Sequence, residues 1–524
     1  MSVWRIVLIA LGAVVAYEML RAAVASRIAR AFHRRARSFA DRHGVRVDLF
    51  KFGGKALVRE ELLNDLVITR AMMQAAAGEL SGRDGKPLPP ERPEAVRRRV
   101  EVYIEEIVPV FSLAAYYQLG LSLSRAAVRA VYKPVIDRAS LARVSALPKD
   151  ATAVFLINHR SNFDYVVVGW AMARQVAISY AVGEWARVFP LDALFKAFGG
   201  FFVRRNFPDP LYHTVLRRYL QLITRQGITQ GIFPEGGLTR DGALRPPKVG
   251  LLDALLQLGA DPAFGRELYF VPVGINYDRV LEDEALLAEK RGRESPPSAA
   301  EKLWGVLRLF WVVPAGIAVN AARAATGRLK RHGYVAVALG EPVRLRDLTS
   351  AQGLTPDALR ALPEDERRAV AKRIAVHLMQ SIARVIPATP VPLVARAVLE
   401  GPATEGELAR RVRGLRERLA ERGVPLALGE EFEEVRKSRA ALESAEHRTR
   451  DLVRLEGELL TSEEDESIVR LGVERLARRG ALRVSDERID IGDAPHAREV
   501  LEYYARSLSA LDMPAAREIT PAAS

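Results

Sequence analysis

The segment Asn158-His159-Arg160-Ser161-Asn162-Phe163-Asp164 places a histidine and a carboxylate five positions apart. A histidine titrates near neutrality and can act as a general base. An aspartate across a tight turn can fix the imidazole tautomer and stabilise the imidazolium. Together they form the His–Asp half of a triad, without its serine nucleophile. That pair suits a reaction in which the substrate's own hydroxyl attacks. H-x-x-x-x-D is a short pattern, and a structural histidine in a polar turn gives the same spacing. A second cluster is Gly199-Gly200-Phe201-Phe202-Val203-Arg204-Arg205. Its glycines permit close backbone approach, and paired arginines at a strand end can grip a phosphate bidentately; a solvent-facing basic strand end reads the same. In Phe233-Pro234-Glu235-Gly236-Gly237-Leu238-Thr239-Arg240, with Arg245 and Lys248 beyond, a strand opens into a glycine-rich turn. Its backbone N–H groups could cradle an anion, but it lacks the G-K-[ST] ending of a Walker A loop and is also readable as a plain turn. Phe270-Val271-Pro272-Val273-Gly274-Ile275-Asn276-Tyr277 reads as a buried strand interrupted by Pro272, with no chemistry of its own.

These clusters sit where short apolar runs alternate with helical stretches, the sign of an α/β layer fold. The pattern predicts strands at 153–157, 176–182, 201–204, 228–233, 268–275 and 334–339, and helices at 164–173, 191–198, 212–225 and 250–258. His159 then follows a strand, and Asp164 opens a helix. Residues 20–80 and the stretch from about Glu94 read as helical, separated by a loop around Asp84-Gly85-Lys86-Pro87. The chain turns helical again after about Arg346. There Thr404-x-x-Glu407 has capping-box spacing.

Composition narrows the classes. A formal net charge of +14 favours anionic partners without choosing among phosphometabolites, lipid surfaces and nucleic acid. Cysteine is absent, which removes disulfides and thiolate metal sites. The eight histidines form no H-E-x-x-H pattern. Near the N-terminus, Ile6 to Tyr17 is uncharged, short for a spanning helix of roughly 20 residues. It reads as a snorkelling anchor, an interfacial helix, a buried helix, or a signal peptide ending at Ala23-Val24-Ala25. Arg21, Arg27, Arg30, Arg34, Arg35 and Arg37 follow it; they favour the cytoplasmic side and anionic headgroups.

N-H-R-S-x-x-D, G-G-F-F-V-R-R, F-P-E-G-G and V-P-V, in this order and spacing, resemble the four blocks of the glycerolipid acyltransferases. The similarity is greatest to the large glycerol-3-phosphate acyltransferases, which include the dihydroxyacetone-phosphate enzymes. Asp278-Arg279-Val280, Gly340-Glu341-Pro342, Pro390-Val391-Pro392-Leu393-Val394 and Leu501-Glu502-Tyr503-Tyr504 extend the resemblance. It implies a mixed sheet flanked by helices at 146–345, a membrane-associating helical region at 1–145 and a helical domain at 346–524. It implies acyl transfer from acyl-CoA or acyl-carrier protein to the 1-hydroxyl of glycerol 3-phosphate, with no cofactor and no metal. His159 would be the base and Asp164 its orienting group. Arg204, Arg205, Glu235, Gly236, Arg240 and Lys248 would serve the acceptor, and Pro272 would shape the pocket. Anionic membrane lipids are the expected surface, at the cytoplasmic face of the cell membrane, and nucleic acid is not an expected partner. Leu238 and Thr239 depart from the family's usual Arg and Ser in the third block, which leaves open another acceptor such as dihydroxyacetone phosphate or a lysophospholipid. A non-catalytic basic membrane or nucleic-acid binder is the rival from another class.

Overall fold

The computed structural model describes residues 54–513 except 83–84, 110–120, 174, 184–194, 197–198, 205–206, 293–330, 428–449 and 487. The Ile6–Tyr17 run, the arginine cluster after it and Arg205 therefore lie outside the described residues, as does most of the expected 191–198 helix.

An eight-stranded mixed sheet organises the chain, with strand order β1-β7-β6-β2-β5-β3-β4 and β8 paired to β6. Its strands are β1 (Lys133–Ile136), β2 (Thr152–Ile157), β3 (Ser179–Gly183), β4 (Phe201–Val203), β5 (Gln230–Ile232), β6 (Leu268–Tyr277), β7 (Tyr334–Leu339) and β8 (Val343–Arg344). From β6 through β2, β5 and β3 to β4 every pairing is parallel, so these strands end at one edge. β7 and β8 run antiparallel to β6.

The helices are, in order, α1 (Gly54–Leu63), α2 (Leu66–Ala77), α3 (Pro93–Ile107), α4 (Leu121–Val131), α5 (Arg138–Ser145), α6 (Asp164–Met172), α7 (Pro210–Arg225), α8 (Gly250–Gly259) and α9 (Asp283–Lys290). Beyond the sheet follow α10 (Leu345–Ser350), α11 (Pro356–Ala361), α12 (Glu364–Val385), α13 (Pro390–Val398), α14 (Glu405–Glu421), α15 (Arg450–Ala477) and α16 (Ala497–Ala505). A small antiparallel sheet, β9 (Ala403–Thr404), β10 (Leu482–Ser485) and β11 (Arg488–Ile491), sits among the last helices.

Side chains alternate across a strand, and both faces of this sheet are covered. Phe155 and Ile157 join Val273, Ile275 and Tyr277 in a core shared with α6 and the C-terminal α13 to α16. Val154, Leu156 and Phe270 join the opposite core with α1 to α3, α7, α8 and α12. Burial on both faces is why β2, β6 and β7 read as continuous apolar runs rather than alternating ones.

Pro272 sits inside β6 without harm to the ladder. β6 pairs with β8 at 269–270 and with β7 from 273 onward, so the missing N–H falls at the break between partners. The Gly340 N–H donates to the Pro272 carbonyl there, at 2.8 Å. The sheet also reaches back across residue 146, because β1 pairs with β7. Pro134 lies within β1, and a short edge strand tolerates a proline. The Thr404–Glu407 capping box is formed in both directions, at 3.3 and 2.9 Å.

Candidate active site

The expected base lies at the end of a central strand. β2 stops at Ile157, and Asn158 continues its alignment with β6 through a side chain. The Asn158 Nδ2 donates to the Ile275 carbonyl at 2.9 Å, and the Ile275 N–H donates to Oδ1 at 2.7 Å. That double bond fixes where the turn begins. Asp164 closes it as the first residue of α6, where the helix dipole favours a negative charge.

His159 and Asp164 are both buried, and His159 Nδ1 lies 2.9 Å from Asp164 Oδ2. The same oxygen accepts the N–H groups of Arg160 and Ser161 at 2.8 and 3.0 Å, and Oδ1 accepts the Tyr277 hydroxyl at 2.6 Å. A carboxylate with four donors in a dry site is strongly fixed as an acceptor. Nδ1 must then carry a hydrogen, which leaves the lone pair on Nε2. The ring packs on Phe233 with centroids 4.1 Å apart and meets the edge of Tyr165 at 5.6 Å. Burial beside Asp164 pushes the Tyr277 phenol well above its ordinary range, so it stays a donor.

Two further carboxylates clamp the turn. The His159 N–H donates to Glu235 Oε1 at 2.7 Å, while Glu235 Oε2 accepts the Arg245 N–H at 2.9 Å. Burial pushes the Glu235 carboxyl up to about 7, against the pull of those two backbone bonds and of Arg160. Glu235, expected on the acceptor, is thus engaged with backbone at both oxygens. On the other flank, Glu282 takes the Ser161 hydroxyl at 2.7 Å and the Asn162 N–H at 3.1 Å. Burial raises its pKa as well.

The third block folds over the turn. Gly236 adopts φ +64°, and a Cβ there would come within 2.8 Å of the Lys248 side chain, so the position needs glycine. The Lys248 N–H donates to the Pro234 carbonyl at 2.8 Å, and the Thr239 N–H to the His159 carbonyl at 3.1 Å. Leu238 is half-buried against the core, and its carbonyl accepts Arg245 Nη1 at 3.3 Å. Arg240 is exposed and pairs with Glu289 at 2.7 Å.

Arg204 lies at the same edge as His159 but three strand positions away, roughly 14 Å at sheet spacing. It is turned to α3: Nε donates to Glu106 Oε1 at 2.7 Å and Nη2 to the other oxygen. The guanidinium also stacks over Phe207 at 4.4 Å. The structure therefore gathers His159, Asp164, Glu235, Gly236 and Lys248 around one turn. It places Arg204 and Arg240 in ion pairs and Pro272 in the strand beside β2. The sequence reading did not single out Asn158, Tyr277 or Glu282 for the turn. Strand alternation puts Tyr277 on one face with Val273 and Ile275, and so offers a signal for it; nothing local marks Glu282.

Two family models match in series: Acyltransferase over residues 141–276 and Glycerol-3-phosphate acyltransferase C-terminal region over residues 319–470. Among curated relatives, a glycerol-3-phosphate acyltransferase of Pseudoalteromonas atlantica is 26% identical over 58% of this chain and 36% of its own length. One of Pseudomonas fluorescens is 29% identical over 65% and 38%. The putative acyltransferase plsB1 of Mycobacterium bovis is 30% identical over 62% and 47%. The chain thus spans less than half the length of these relatives. A solved structure, the 1-acyl-sn-glycerophosphate acyltransferase PlsC of Thermotoga maritima, aligns with a TM-score of 0.28 and 15% identity, over 62% of this chain and 94% of that one. The chain thus resembles the glycerol-3-phosphate acyltransferases in two successive stretches, an acyltransferase domain and a C-terminal region named for that family.

Proposed function

We propose that the chain transfers a fatty acyl group from acyl-CoA or acyl-carrier protein to the 1-hydroxyl of glycerol 3-phosphate, giving lysophosphatidate for phospholipid synthesis. The observation that carries this is the buried His159–Asp164 pair, with Nδ1 committed to the carboxylate. Nε2 takes the proton of the acceptor hydroxyl as its oxygen attacks the thioester carbonyl. Asp164 stabilises the imidazolium that forms. The tetrahedral intermediate then collapses, the C–S bond breaks, and the imidazolium returns the proton to the departing thiolate. No enzyme nucleophile is required; Ser161, the nearest hydroxyl in sequence, donates to Glu282 instead.

The acceptor phosphate is assigned to the cations and backbone of the second and third blocks: Arg204, Arg205, Gly236, Arg240, Arg245 and Lys248. This chemistry uses no metal or redox cofactor; the acyl donor is a co-substrate. Anionic lipids at the cytoplasmic face of the cell membrane are the proposed setting, on the strength of the Ile6–Tyr17 run and the arginines after it. Among the described residues, no helix is long and apolar enough to cross a membrane. Leu238 supports a second reading, in which dihydroxyacetone phosphate or a lysophospholipid replaces glycerol 3-phosphate.

Purified protein given labelled acyl-CoA or acyl-carrier protein should acylate glycerol 3-phosphate fastest in an acceptor panel. Inertness toward glycerol 3-phosphate with turnover of a lysophospholipid would sink the substrate assignment and keep the acyltransferase class.

A further inference from the structure

Two adjacent tyrosines, remote from the turn in sequence, pack on both of its flanks. α16 carries them, and both are buried with rings edge-on at 5.3 Å. The Tyr503 ring lies against the Arg160 guanidinium, 5.1 Å from its carbon. Arg160 is buried and donates from Nη1 to the Gly242 carbonyl at 3.0 Å. Its Nε and Nη2 have no hydrogen-bond partner among the described residues, so beside the Gly242 carbonyl the aromatic face holds this cation in place. Gly242 is pressed on the same tyrosine, since a Cβ there would lie 1.8 Å from the Tyr503 carbonyl oxygen. Arg506 adds an ion pair to Asp241 at 2.9 Å.

Tyr504 works on the opposite side. Its hydroxyl donates to Asp283 and accepts the Val280 N–H at 3.1 Å and Arg479 Nη1 at 3.2 Å. Asp283 also takes Arg479 of α15 at 2.7 Å. These bonds bracket Glu282, the carboxylate that holds Ser161 and Asn162.

We propose that Tyr503 and Tyr504 are positioning residues for the His159–Asp164 pair, acting through Arg160 on one flank and Glu282 on the other. This rests on the acyl-transfer reading above. A base works only while its partners hold it within tenths of an ångström, and here the C-terminal domain supplies part of that hold.

The test uses the full chain. Tyr504→Phe keeps the ring and removes the hydroxyl. Well below its Tm it should lose roughly tenfold or more in kcat, with both KM values within about twofold of wild type. The acid limb of its pH–kcat profile should also move. Tyr503→Leu should behave alike, whereas Tyr503→Phe should recover kcat to within about threefold, because its hydroxyl has no partner among the described residues. A purely structural role would lower Tm and leave kcat and the pH profile unchanged.

Hydrogen exchange over 158–164 reads the same positioning without turnover, because the amides of His159, Arg160, Ser161 and Asn162 all bond to carboxylates. Both Tyr504→Phe and Tyr503→Leu should exchange faster there. A wild-type chain inert in every acyl-transfer assay would remove the proposed function, and exchange would still decide this inference. Wild-type exchange in both variants would overturn it. If Tyr504→Phe does not fold, the Tyr503 variants decide alone.

Discussion

The turn that holds His159 and the strand end that holds Arg204 share one edge of the sheet and are built in opposite ways. Around His159 three carboxylates tie the turn to other parts of the same machinery: Asp164 to three N–H donors and a phenol, Glu235 to two backbone N–H groups, Glu282 to Ser161 and Asn162. Around Arg204 the hold comes from outside the sheet, through one carboxylate on α3. The first arrangement suits the proposed proton transfer, which must occur in one geometry. The second keeps a cation charged and aimed at an anion that belongs to the protein. On the proposed reading an incoming phosphate would have to compete with Glu106 for Arg204, whereas His159 would meet its substrate already oriented.

Substitutions at the turn test that preorganisation most directly. His159→Ala should lower kcat by about 10²–10⁴, the range for a lost general base, in steady-state assays of a protein whose melting transition is retained. Asp164→Asn should approach the same loss, because the amide can present a donor to Nδ1 and favour the wrong tautomer. Near wild-type turnover by folded His159→Ala would refute the mechanism.

At the strand end the expected changes lie in KM. Arg204→Ala removes a charge-assisted contact worth about 1.5–3 kcal/mol, so the KM for glycerol 3-phosphate should rise roughly ten- to over a hundredfold while the acyl-donor KM stays put. Glu106→Gln should act in the opposite sense, lowering that KM by roughly threefold or more as the competing charge is removed. If Glu106→Gln lowers Tm and leaves KM untouched, the pair is architecture and the phosphate is held by other cations.

A pH measurement probes the brace beneath the turn. Burial lifts the Glu235 carboxyl from the ordinary glutamate range to about 7. Between about pH 4.5 and 7 the folded chain thus keeps a proton that the unfolded chain has released. This group's contribution to stability is full below about pH 4.5 and is lost as pH rises through about 7. The loss is of order 3 kcal/mol. Melting curves from pH 5 to 8 should show a decline in wild type that is shallower in Glu235→Gln; parallel curves would show that Glu235 does not titrate there.

How legible all this was follows the range of each contact. The histidine, the aspartate and the strand-to-helix passage between them lie within a few residues, and their spacing announces them. Six of the eight strands of the large sheet were legible for the same reason, since burial on both faces writes itself into each run. Glu106 meets Arg204 across 98 residues of chain, and Glu282 meets Ser161 across 121; no periodicity encodes such partners. β1 hid behind Lys133-Pro134, and the strands β10 and β11 are short and carry exposed polar side chains. The C-terminal tyrosines were visible as part of a family pattern, but their place against Arg160 and Asp283 depends on how two layers pack.

The finest test concerns Leu238, which stands where the family usually has arginine. Two accounts compete: the acceptor has changed toward something needing less positive charge, or another cation covers the gap. The geometry favours the second. Arg245 reaches back so that Nη1 donates to the Leu238 carbonyl, which keeps a guanidinium beside this residue. Leu238 itself is packed half-buried against the core, so an arginine there must leave that packing or snorkel out of it. Leu238→Arg should therefore change the KM for glycerol 3-phosphate by less than about threefold and cost about 1 kcal/mol of stability, the usual scale for a disturbed apolar contact. Arg245→Ala in the wild-type background should raise the same KM more than Leu238→Arg lowers it. A tenfold or larger fall in KM for Leu238→Arg, with Arg245→Ala silent, would mean that the site lacks the missing charge and that glycerol 3-phosphate is not the acceptor it was shaped for.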